Sequence, residues 1–231
     1  MKLKKETYVI LNNFMNIQKN LTIKKGNFLR TINEARTVIA ECTLEDEFPQ
    51  DFGIADLKNF LNTLSIFNDP ELEFYEDKVT IKEDNVEYDY YRASDAILKD
   101  PKYGKNINLG DPACEFILTK DQLKNIIKAA NTIRATSMSN CSGIHFYKND
   151  NDDIVIEAKL YKDQSSKNVY RTIINNNDCD IKDEIGDIIV DSSKFILLED
   201  DYKIILYKNR CMCLKGLNIP VTYTISYEIV E

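Results

Sequence analysis

A chain of 231 residues with a formal net charge of -8, 43% hydrophobic residues, seven Gly and five Pro can bury one large core or two modest ones. That balance excludes a linker or a disordered tail. Its basic start runs into an apolar stretch that Asn12 and Asn13 interrupt before signal-peptide length, and no other run approaches the roughly 18 apolar residues of a membrane span, so a soluble, intracellular protein is expected.

In chain order, residues 5–19 have helical period, with Ile10, Leu11, Phe14 and Ile17 on one side. Strand-like runs follow: "LTIKK", a Gly26-Asn27 turn, "NFLRTIN" and "TVIAECTLE". A second helix is expected in "IADLKNFLNTLSIFND", where Leu57, Phe60, Leu61 and Leu64 share a face and Asp56 suits the positive end of the helix dipole. Strands resume in "ELEFY", "VTIKE" and "VEYDYYRAS". "ILKDPKYGKNINLGDP" is rich in turn formers and reads as a connector.

The second half repeats the order. "CEFIL" leads into a helix over 120–134, followed by "SGIHFYK", "IVIEAKLY" and "NVYRTIIN", a short helical piece "SSKFILLED", and then "YKIILYK", "CMCLKG" and "VTYTISYEIV". A shift of 116 residues lays Ile10, Leu11, Phe14 and Ile17 over Ile126, Ile127, Ala130 and Ile133. Because the strands come in runs suited to antiparallel hairpins, the expected class is α+β: two similar units, each with two helices on antiparallel sheet.

Few residues suggest chemistry. The six cysteines follow no framework spacing and are expected to be reduced thiols. Cys211 and Cys213 share one face of a strand, but a zinc site needs a second close pair that the sequence lacks. "NDNDD" at 149–153 lacks the Gly and Glu of a calcium loop and reads as a hairpin turn. His145 is the only histidine, and no GxSxG, HExxH, Walker or glycine-rich phosphate loop is present. No catalytic residue, metal or cofactor is expected.

Charge is the informative signal. Residues 1–20 and 119–134 carry +3 each, which leaves the rest of the chain at -14. On the 120–134 helix, Leu123, Ile126, Ile127, Ala130 and Ile133 fill one arc, with Lys120, Lys124, Lys128 and Asn131 opposite; on the first helix Lys5, Asn12, Asn16 and Lys19 face away from its apolar arc. A lysine-bearing helix face is most often only solvated surface; the functional alternative is attraction to a polyanion. With no exposed aromatics for stacking and no base-reading set, duplex binding there would be loose and free of sequence preference.

The segments "MKLKKETYVILNNFMNIQKN", "IKKGNFLRT" and above all "IADLKNFLNTLSIFNDPELEF" resemble the sliding clamps of T-even-type bacteriophages, the processivity factors of the phage DNA polymerase. The resemblance is sharpest over the first 75 or so residues, with chain length and element order agreeing throughout. It implies a DNA-clamp fold with domains at 1–97 and 113–231 joined by a 98–112 connector, three protomers closing a ring lined by helices, no activity of its own, and loading by an ATP-dependent clamp loader. It further implies partnership with double-stranded DNA and the phage DNA polymerase, with RNA polymerase-associated late transcription factors in addition, in the cytoplasm of an infected bacterial host.

Carried onto this sequence, the resemblance makes Lys4, Lys5, Asn12, Lys19, Lys120, Lys124, Lys128 and Arg134 the DNA-facing candidates, with Lys58 and Lys194 on the other two helices. Glu6 and Asp121 depart from a uniformly basic lining. Tyr103, Ile107 and Leu109 become candidates for the rim of a partner-peptide pocket, with packing of the connector on its sheet as the alternative, and "VEYDYYRA" and "NVYRTIIN" for the edge strands that join subunits. Two other readings remain open: a phage structural or adaptor protein built from duplicated units without DNA encirclement, and an enzyme using a nucleophile such as Cys179 near His145.

Overall fold

The computed structural model describes residues 1–98, 108–136, 141–161 and 167–230. These fall into two compact units, Met1–Lys105 and Asn106–Glu231.

The first unit opens with α1 (Lys5–Ile17), then β1 (Leu21–Ile23), β2 (Gly26–Ile32), β3 (Val38–Phe48) and β4 (Phe52–Ile54). It continues with α2 (Leu57–Leu64), β5 (Glu71–Phe74), β6 (Lys78–Glu83) and β7 (Val86–Tyr91), and a 3₁₀ turn at Asp95–Ile97 follows. Pairing is antiparallel: β1 with β4, β2 with β3, and β5–β6–β7 as a meander in which β7 is an edge. β3 alternates buried and exposed residues along nearly its whole length, as a strand with one wet face must. The buried stripe of α1, Ile10, Leu11, Phe14 and Ile17, packs on β3, β2 and α2. Phe74 meets Phe48 and Phe52 edge-on, at centroid distances of 6.1 and 5.8 Å, and Phe60 of α2 meets Tyr90 of β7 at 5.0 Å.

The second unit runs β8 (Pro112–Leu118), α3 (Lys120–Arg134), β9 (Gly143–Lys148), β10 (Ile154–Lys159), β11 (Tyr170–Ile174), β12 (Cys179–Ile181) and β13 (Asp187–Asp191). After a 3₁₀ turn at Ser192–Lys194 come β14 (Tyr202–Tyr207), β15 (Cys211–Gly216), β16 (Val221–Ser226) and β17 (Glu228–Val230). One sheet has the order β11–β10–β9–β13–β17, with β11 at its edge; within this unit the other runs β12–β8–β14–β15–β16. α3 buries Leu123, Ile126, Ala130 and Ile133 against β9, β10 and β11. The 149–153 run is the β9–β10 hairpin turn, with the Asn149 side-chain oxygen accepting from the N–H groups of Asn151 and Asp153.

Two helices differ from expectation. α2 is shorter than its apolar pattern suggests, ending at Leu64. The helix expected in "SSKFILLED" reduces to the 3₁₀ turn, because the backbone groups another turn would pair internally are taken elsewhere: Leu198 N–H donates to the Tyr223 hydroxyl at 3.2 Å, and its carbonyl accepts from the Tyr202 hydroxyl at 2.8 Å. Buried Asp200 then accepts from Asn218 N–H (3.0 Å), Ile219 N–H (2.8 Å) and the Asn218 side-chain amide (2.6 Å), fixing the segment to the β15–β16 turn.

Candidate nucleic-acid interface

The basic face of α3 is set by its capping. Thr119 and Gln122 form a capping box, and Lys120 N–H also donates to the Asp201 carboxylate at 2.7 Å. With the apolar arc committed to the sheet, Lys120, Lys124, Lys128 and Asn131 are exposed. Ile127, expected in the core arc, is only half-buried and instead lines a groove of ≈ 590 Å³ between α3 and residues 195–200, with Leu123, Phe195 and Leu198 below and the three lysines along it.

α1 reaches the same outcome differently. Its N-cap, Lys4, makes no side-chain cap; Asp46 on β3 accepts from Lys4 N–H and from the Thr7 hydroxyl, both at 2.7 Å. Lys4, Lys5 and Asn12 are exposed, the Asn12 amide donating back to Tyr8 O at 2.8 Å, and Lys19 follows the helix end. α2 is capped by Asp56, which accepts from Asn59 N–H at 3.0 Å and leaves Lys58 exposed in its first turn.

Most of these cations are not bare. Lys4 pairs with Glu45 at 2.7 Å and Lys19 with Asp56 at 3.3 Å; Glu199 pairs with Lys120 at 2.6 Å and Lys124 at 3.3 Å. The hydrogen bond to Glu199 raises the Lys120 pKa, that to Glu45 raises Lys4, and both glutamates are held below their usual values by their lysines. Among the described residues, Lys5, Lys58 and Lys128 have no carboxylate partner. Glu6 and Asp121 sit in the first turns of α1 and α3, where a carboxylate suits the helix dipole.

Two candidates stand apart. Arg134 lies half-buried near Asp191: burial pushes that carboxyl up, but hydrogen bonds from Ser193 and Tyr161, with the nearby guanidinium, bring it below its usual value. Lys194 is on the 3₁₀ turn rather than a helix and donates to Ser226 O at 2.9 Å and its hydroxyl at 3.2 Å. Tyr103 and Ile107 lie outside the described residues; Leu109 is half-buried beside Gly110, whose φ is +75°.

Glu45, Asp46, Glu199 and Asp201, which pair or cap the basic helices, were missed by sequence reasoning. They lie on other elements, where no local spacing marks them. Among the described residues no group of three His, Cys, Asp or Glu is placed to hold a metal ion, and no helix is long and apolar enough to cross a membrane.

The DNA polymerase processivity factor family model matches residues 4–99. The sliding clamp of Vibrio phage KVP40 is 26% identical over 222 residues, covering 95% of this chain and 96% of that one. The sliding clamp of Enterobacteria phage T4 is 39% identical over 69 residues, 30% of each chain. The fold matches the A. fulgidus PCNA structure bound to the C-terminal region of FEN-1 with a TM-score of 0.70 at 17% identity, over 100% of this chain and 98% of that one.

Proposed function

We propose that the chain is a sliding clamp of the DNA polymerase processivity factor family, which encircles double-stranded DNA and tethers a phage DNA polymerase for processive synthesis; the family-model match over residues 4–99 and the full-length similarity to the Vibrio phage KVP40 sliding clamp support this. An ATP-dependent clamp loader opens and closes the ring, three protomers form it, and it works in the cytoplasm of the infected bacterium. RNA polymerase-associated late transcription factors are a further partner in this reading.

The observation that carries this reading is the basic face of α3, with lysines also at both ends of α1. Lys4 and Lys120 are 116 residues apart, Lys4 as the N-cap of α1 and Lys120 as the first residue of α3, and each helix commits its apolar stripe to packing while leaving its polar side exposed. A closed ring stays on DNA by topology, so its lining needs only weak, register-free contacts from flexible ammonium groups. An acidic remainder at -14 discourages DNA from settling elsewhere. Held at the primer end, the ring raises the local concentration of polymerase without a catalytic step.

Charge reversal tests it. Lys124→Glu with Lys128→Glu should sharply shorten the products of clamp-stimulated synthesis, with loader and ATP present, while the native mass stays at about three protomers. Product lengths unchanged by the reversal would contradict the reading.

A further inference from the structure

The lysines of α1 and α3 meet carboxylates in a recurring arrangement. At the start of α3, Lys120 N–H donates to Asp201 while the Lys120 ammonium pairs with Glu199; at the start of α1, Lys4 N–H donates to Asp46 while the Lys4 ammonium pairs with Glu45. One aspartate caps the helix, and a neighbouring glutamate holds its first lysine. The carboxylates come from unlike elements, β3 in one unit and the 199–201 segment in the other, so the shared feature is the arrangement itself.

Glu199 is also placed rather than trailing. The residues around it are fixed by hydrogen bonds: Leu198 to the Tyr202 and Tyr223 hydroxyls, Asp200 to the Asn218–Ile219 backbone, and Asp201 to α3. From that position its two carboxylate oxygens reach Lys120 and Lys124 separately, one lysine each.

We propose that Glu199, and Glu45 at the equivalent site, are tuning residues that hold down the phosphate affinity of the basic helices. With Glu199 between them, Lys120 and Lys124 present a net +1 instead of +2. A phosphate approaching either ammonium meets the carboxylate first and must displace it. Lys128, with no carboxylate partner among the described residues, keeps its full charge as the site of first contact. A surface that must hold DNA while releasing each phosphate quickly gains from such a built-in competitor, because each phosphate neutralised adds steeply to salt-dependent affinity. As isolated surface pairs these bridges contribute little to stability, so holding the fold is not their main effect.

The inference rests on the DNA-facing reading of α3, and the experiment separates the two. Binding of the full-length protein to a short fluorescein-labelled duplex is followed by anisotropy across a potassium chloride series for wild type, Glu199→Gln, Glu199→Asp, Glu45→Gln, Lys120→Gln, Lys124→Gln and Lys128→Gln. Glu199→Gln should bind more tightly, with the slope of log affinity against log salt steeper by about 0.9 to 1.8 for one or two freed lysines. Glu45→Gln should shift the same way by up to about 0.9. Glu199→Asp, which keeps the charge, should stay near wild type, a distinction that a purely structural role would not produce. If Lys128→Gln weakens binding while neither Gln variant changes affinity or slope, the tuning role is overturned and the DNA-facing reading stands. If Lys128→Gln, Lys120→Gln and Lys124→Gln all leave binding unchanged, the DNA-facing reading falls and the tuning role with it.

Discussion

His145 shows how a residue that suggests chemistry in the sequence becomes a packing element in the fold. It is buried on β9, edge-on to Tyr161 at 6.5 Å, and among the described residues its Nε2 has no hydrogen-bond partner. Burial, with a contribution from Lys159 and against the pull of Glu157, lowers its pKa from 6.5 to about 4. The unfolded chain therefore takes up this proton near pH 6.5, and the folded one only near pH 4. Between those values the unfolded state binds more protons, so the contribution to stability is complete above pH 6.5 and is lost as pH falls toward 4. Thermal melting across this window should show a falling Tm in wild type and a shallower fall in His145→Leu; identical slopes would contradict the assignment. Glu157 belongs to a lower window. Burial pushes its carboxyl up, but hydrogen bonds from Lys159, Arg171 and Tyr147 outweigh that and hold it at about 2, so its contribution is lost below the ordinary carboxylate range.

At the scale of elements, the two edge strands named from the sequence are edges in the fold: β7 of its three-stranded meander and β11 of its sheet. β7 exposes Val86, Tyr88 and Tyr91, and β11 exposes Ile173 after an exposed Val169. An exposed edge with apolar side chains is costly unless another strand covers it. If β7 of one protomer pairs with β11 of the next, head-to-tail contacts close a ring. Ile173→Lys should then lower the mass found by sedimentation at moderate concentration while leaving the far-ultraviolet spectrum unchanged; an unaltered mass would place the contact elsewhere. What was legible at this scale follows from locality. α1 and α3 were readable because 13 and 15 residues carry a sustained 3.6 period, and the hairpin at 149–153 because Asn and Asp shape their own turns. The helix lost at 195–199 was unreadable because partners beyond the segment decide it: the Tyr202 hydroxyl at the start of the next strand, the Tyr223 hydroxyl on β16 and the Asn218–Ile219 backbone of the β15–β16 turn. Glu45 and Glu199 escaped notice for the same reason, each reaching its lysine from another element.

For the whole molecule, charge segregation unites sequence and function. α3 is itself basic, and lysines flank α1 at Lys2, Lys4 and Lys19 while Lys5 and Glu6 balance within it; most of the acidity lies on strands, turns and helix caps, so the chain is anionic overall while α3 and the ends of α1 offer ammonium groups. Such a molecule should bind free duplex weakly and retain it mainly by encirclement. The most direct measurement is therefore topological. The labelled protein is loaded with clamp loader and ATP onto nicked circular DNA, freed of unbound protein by gel filtration, and split, one half being linearised by a restriction enzyme. Label should stay with the circle at moderate salt and be released on linearisation as the ring slides off the new ends. Equal retention on circular and linear DNA would contradict it, because contacts rather than closure would then hold the protein in place.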